Sequence, residues 1–157
     1  MVEKSADNRG NHLLELIRQM NESTSANGRK YFHFQTIQNI IIHYDEIKTQ
    51  NDKEWVYNSL LQYFAACKEL GPAIDRNTSK MLFYEYVDNL ADYYGKNLGF
   101  SLMLNRTVIY FFYFLCLLLT YIFVNVYVML VLASLFIYHI GTQYLKYKRR
   151  RVYSIFF

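Results

Sequence analysis

Cysteine, proline and tryptophan are scarce in this 157-residue chain, at two, one and one. Cys67 and Cys116 stand far apart, and neither has the second Cys or His that a CxxC redox motif or a zinc site requires. Both are expected to be buried small hydrophobes. One Pro and six Gly exclude collagen-like and linker-like chains, and 53% hydrophobic residues exclude a disordered one. No Walker A, GxGxxG, GxSxG or HExxH pattern occurs, so the chain reads as a non-enzyme with no cofactor and no metal. Residues 1–12 are polar and lack the apolar core of a signal peptide, so the N-terminal zone is expected on the cytosolic side.

Acidic residues are missing from residue 107 onward. All 13 lie in residues 1–106 beside 12 of the 17 Lys and Arg, a net −1. Residues 107–140 carry no Asp, Glu, Lys or Arg. Lys146, Lys148, Arg149, Arg150 and Arg151 follow, so the overall +4 comes from the tail. A basic balance alone admits nucleic acid. A cationic run directly after a long apolar one is instead the juxtamembrane pattern, so the expected partner is a lipid bilayer and nucleic acid is not expected as a direct ligand.

Thr107 to Ile140 is 34 residues. One helix of that length would measure about 50 Å at about 1.5 Å per residue, against a bilayer core of about 30 Å. Tilt absorbs only a few residues. Two spans near Thr107–Val124 and Val126–Thr142 fit better, with Asn125 at the tight turn. Arg106 precedes the first span, the cations Lys146–Arg151 follow the second, and none lies near the turn. The positive-inside rule then puts both chain ends in the cytoplasm and Asn125 outside; a single tilted span would put the tail outside, against that rule. Tyr110, Tyr113, Tyr138 and Tyr144 fall near the inner interface and Tyr121 and Tyr127 near the outer one, as in an aromatic belt. Thr120 and Ser134 are expected to bond back to helix carbonyls, and His139 to reach the headgroups; a polar pore lining by the same three residues is the functional alternative. No GxxxG motif encodes a close crossing.

Residues 1–100 read as an all-α domain, followed by the hairpin over 101–145 and the basic tail over 146–157. Asn11 caps a first helix over His12–Met20 and a polar loop follows. Phe34, Ile37, Ile40, Ile41, Tyr44 and Ile47 share one face of a helix from about Tyr31 to Thr49. Residues 30–36 alternatively allow a short strand. Asn51 and Glu54 resemble a capping box that opens a helix over Asp52–Leu70, ended by Gly71-Pro72. A last helix starts after Thr78 or Ser79 and runs to Gly95. His33, His43, Asp45 and Glu46 are close in sequence and are expected on a solvated helix face. Trp55, Tyr57, Tyr84 and Tyr94 are candidates for an interface with a protein partner or a second copy, since aromatics enrich such contacts. The final VYSIFF either dips into the headgroups or docks on the bundle.

A soluble zone, the hairpin Thr107–Ile140 and the basic tail Lys146–Arg151 together resemble the small two-transmembrane effectors of bacterial anti-phage systems, such as those linked to retrons or to cyclic-oligonucleotide signalling. The resemblance implies an inner-membrane protein that oligomerises and compromises the membrane of an infected cell. A passive anchor or adaptor that tethers a helical interaction module is the alternative.

Overall fold

The computed structural model describes residues 6–25, 28–102, 106–123 and 126–153. It is mostly helical: α1 (Ala6–Ser23), α2 (Gly28–Tyr31), α3 (Phe34–Ile42), α4 (Gln50–Leu70), α5 (Arg76–Leu82), α6 (Asp88–Leu98), α7 (Arg106–Phe123) and α8 (Val126–Lys148). Two short strands, β1 (Ser101–Leu102) and β2 (Val152–Tyr153), complete it. The all-α class therefore holds at the level of overall content.

Helices α1 to α6 form a bundle around Leu13, Ile37, Ile40, Val56, Leu60, Val87 and Leu90, all fully buried. Their spacing explains the faces: Ile37 and Ile41 lie one turn apart on α3, and Val56 and Leu60 one turn apart on α4. Tyr63 reaches across from α4 and donates its hydroxyl to the Phe32 carbonyl, which satisfies two buried polar groups at once.

The continuous helix expected over residues 31–49 is interrupted at both ends. His33 has φ 53°, in the left-handed region, so α2 stops before it and α3 starts after it. Its ring holds that turn, lying 3.1 Å from the Ser79 carbonyl and 3.2 Å from the Ser79 hydroxyl. The strand allowed over residues 30–36 is therefore replaced by helix, turn and helix. At the other end His43 closes α3 and residues Tyr44–Glu46 form a 3-10 turn.

The caps also differ from expectation. Thr49, not Asn51, caps α4 by accepting from the Asp52 N–H at 3.2 Å. Asp75 caps α5 by accepting from the Thr78 N–H at 2.8 Å. Gly71 terminates α4 with φ 78°, as expected. After α5 a π-helical turn, Phe83–Val87, turns Phe83 and Val87 into the core and leaves Tyr84 outside. The helix then continues past Gly95 to Gly99.

Tyr94 is not an interface residue. It is fully buried, edge-on to Phe100 with ring centroids 5.0 Å apart, and burial pushes its hydroxyl well above the usual phenol range. Burial likewise pushes the Cys67 thiol up to about 12, so it is an inert packing group, while Cys116 is half-buried.

Candidate functional site

Helices α7 and α8 lean on one another through aromatic contacts. The Phe136 ring lies 4.4 Å from that of Tyr113 and 6.2 Å from that of Tyr110, and His139 stands 6.0 Å from Tyr113. The outward faces carry Phe111, Phe112, Phe114, Val131, Ile137 and Tyr138, all more than half exposed. Among the described residues one helical stretch, Tyr127–Lys148, is long and apolar enough to cross a membrane, and none of it is buried. Ser134 donates to the Leu130 carbonyl at 2.9 Å, as expected of a hydroxyl on an apolar helix, and Thr142 does the same to His139 at 2.8 Å. The turn expected at Asn125 lies outside the described residues, as do the side chains of Arg106 and Thr120.

The tail is where the fold departs most from a free cationic anchor. Helix α8 ends in a Schellman motif: the Arg151 N–H donates to the Lys146 carbonyl and the Arg150 N–H to the Tyr147 carbonyl, each at 3.0 Å. Arg150 occupies the left-handed position, φ 55°, that glycine usually takes. The motif reverses the chain onto the bundle. There β2 pairs in parallel with β1, Ser101 opposite Val152 and Leu102 opposite Tyr153. The crossover between these strands contains α7 and α8, so the segments before α7 and after α8 are held side by side.

Helix α3 supplies the other half of this clasp. Asn39, buried, donates its amide to the Val152 carbonyl at 2.8 Å, and Val152 is itself buried. His43 packs its ring edge-on to Phe100 and sets Nε2 2.9 Å from the Arg149 carbonyl. A carbonyl only accepts, so Nε2 donates. Nδ1 faces Glu46 Oε1 at 2.8 Å. The other Glu46 oxygen accepts from Arg151 Nη2 at 2.8 Å. The expectation that His33 and His43 sit on a solvated face is thus corrected, since both are buried; Asp45 and Glu46 are exposed. Of the two placements open to the C-terminal segment, Val152 and Tyr153 take the one on the bundle, and residues 154–157 lie outside the described residues.

Of the tail cations, only Arg151 meets a carboxylate among the described residues. The sequence reading missed Asn39 altogether. Its signal was the spacing alone: Asn39 falls three residues after Thr36 and beside Ile40, on the buried face of α3, whereas Gln35 and Gln38 are exposed.

The aromatic candidates on the bundle divide. Trp55 is 41% exposed and its ring lies 5.5 Å from that of Tyr93. The Tyr93 hydroxyl donates to Asp52 at 3.0 Å, and burial, reinforced by that carboxylate, pushes it up to about 12. Tyr57 is occupied within the chain, with His12 Nδ1 2.9 Å from its hydroxyl and the Arg9 guanidinium 5.4 Å from its ring centre. Tyr84 is exposed, one turn from the exposed Met81. Among the described residues no group of His, Cys, Asp and Glu could hold a metal ion. Comparison with protein-family models, with curated proteins and with solved structures returns no match.

Proposed function

We propose that this chain is a small inner-membrane protein whose N-terminal bundle controls a membrane-active hairpin made of α7 and α8. The bundle and both ends of the hairpin lie in the cytoplasm. Hairpins of several copies, once released or brought together by a signal or partner acting on the bundle, disturb the bilayer, as in abortive-infection effectors.

The observation that carries this reading is the double attachment. A passive tether needs one connection, and a loose one suffices. Here the C-terminal end of the helix pair is bonded to Asn39 of α3 and to His43 and Glu46 just after it, and the N-terminal end is paired with it through β1 and β2. A displacement of α3 is therefore transmitted to α7 and α8 together. The exposed apolar faces of the pair supply the reason for a bilayer, because soluble proteins rarely leave contiguous apolar surface uncovered. The cations at the end of α8 supply the orientation.

The test is induced expression with a potential-sensitive dye. The effector reading expects loss of membrane potential and growth arrest, both relieved by Ile137→Arg, which sets a charge on the exposed apolar face of α8. Unchanged potential and growth, with the bundle's partner co-expressed, overturns it. Met81 and Tyr84, 68% and 64% exposed, favour the second reading, an adaptor that presents this patch to a protein partner. In that case Met81→Glu removes a copurifying protein while expression of the unaltered chain leaves the potential intact.

A further inference from the structure

Beside the clasp lies a groove lined by Phe34 and Asn39 of α3. It holds about 540 Å³ and lies between the bundle and the C-terminal end of α8. Three cations from separate elements line it: Arg29 of α2, Lys148 of the last turn of α8, and Arg150 of the Schellman motif. The amides of Asn21, Gln35 and Gln38 add to its polar wall, and no carboxylate of the described residues lines it. The carboxylate nearest in sequence to Asn21, that of Glu22, faces Arg18 at 3.8 Å. Among the described residues none of the three cations meets a carboxylate within ion-pair distance. Arg29 is held in place by donating to the Asn21 carbonyl at 3.1 Å, which leaves the rest of its fork of donors for another acceptor.

Arg150 is the most informative member. Its backbone position is one where glycine carries no steric penalty and a side chain does. An arginine there implies a use for the guanidinium. Convergent cations without counter-charge, interleaved with neutral amides, match the planar, multidentate recognition of phosphate oxygens.

We propose that this groove binds a phosphate group, carried either by the headgroup of an anionic lipid or by a small soluble phosphate. The site goes beyond the effector reading and does not require it, since the groove exists whether or not the hairpin disturbs a bilayer. Under that reading the last turn of α8 lies at headgroup level, which sets the lipid headgroup within reach of Lys148 and Arg150.

The test is the thermal unfolding of the full chain in a neutral detergent. Short-chain phosphatidic acid forms one arm and sodium pyrophosphate the other; short-chain phosphatidylcholine and sodium chloride at matched ionic strength are the controls. A saturable rise of a few degrees in Tm is expected in at least one anionic arm and in neither control. A rise with phosphatidic acid alone assigns the lipid source, and a rise with pyrophosphate alone the soluble one. Arg150→Gly keeps the left-handed turn, so it folds, and is expected to lose the rise. No rise in either arm, a rise matched by chloride, or an equal rise in Arg150→Gly overturns the proposal. Because no readout involves membrane potential, its failure is separable from failure of the effector reading.

Discussion

Leu60 and Phe112 are both large apolar residues in the interior of long helices, yet Leu60 is fully buried and Phe112 is 66% exposed. The contrast extends to the regions around them. In the bundle most apolar residues turn inward, with Trp55, Met81 and Tyr84 among the exceptions, and many exposed positions carry charge, as in the ion pairs of Arg18 with Glu15 and of Lys96 with Asp92. In α7 and α8 the residues between the helices and those facing outward are equally apolar. Burial inside a core cannot explain outward faces made of Phe111, Phe112, Ile137 and Tyr138. Under the proposed function the two regions are suited to different solvents, water around the first and lipid around the second. On that proposal the clasp, which is polar, hydrogen-bonded and partly buried, is the joint between those solvents.

The largest effect that could break this contrast comes from truncating matched residues. Leu60→Ala is expected to cost the bundle about 2–5 kcal/mol through transfer and cavity terms. Phe112→Ala is expected to change bundle stability by less than about 0.5 kcal/mol. Denaturant unfolding of both variants in detergent measures this, and equal losses would mean that the helix pair is part of the bundle's core.

The clasp should respond next. Asn39→Ala leaves the buried Val152 carbonyl without its donor and is expected to cost about 1–3 kcal/mol. Amide exchange at residues 149–153 should quicken more than exchange within α4. A uniform rise across the chain would show that Asn39 supports the bundle and not the joint. A smaller effect of opposite sign is expected for Arg150→Gly, which relieves a left-handed non-glycine residue and should stabilise the tail by about 0.5 kcal/mol after the added freedom of the unfolded chain is counted.

The smallest effect is a pH dependence confined to the bundle. Burial holds the His33 imidazole below its ordinary value of 6.5. Above that value His33 is neutral in both folded and unfolded chains and contributes no slope. As pH falls below it the unfolded chain takes up a proton that the folded chain resists, so stability declines on acidification. His33→Asn tolerates the left-handed backbone and retains an amide donor, and should flatten this part of the profile relative to the unaltered chain in urea titrations from pH 7 to lower pH.

Much of the bundle was legible because its determinants are local. Gly71-Pro72 stops α4, and the spacing of Ile37, Ile40 and Ile41 marks the buried face of α3. The break at His33 was not legible, since no Gly or Pro announces it and the turn depends on Ser79, 46 residues away. The π-helical turn at Phe83–Val87 has no sequence signature, because it is selected by which aromatics reach the core. Tyr94 was misplaced because tyrosine suits cores and interfaces alike, and only packing against Phe100 decides between them. Of the candidate site, the apolar block and its flanking cations could be read directly. The clasp could not, for β1 and β2 are two residues each, without alternation, and Asn39 lies 113 positions from the carbonyl it binds.

The central claim, that α8 faces lipid while the bundle faces water, is tested most directly with a single fluorescent reporter. Trp55 is the only tryptophan, and Trp55→Phe combined with Ile137→Trp moves the reporter to the most exposed stretch of α8. In vesicles, the account predicts blue-shifted emission quenched by lipids brominated on their acyl chains and little quenching by aqueous iodide. Red-shifted emission quenched by iodide and untouched by brominated lipid would contradict it.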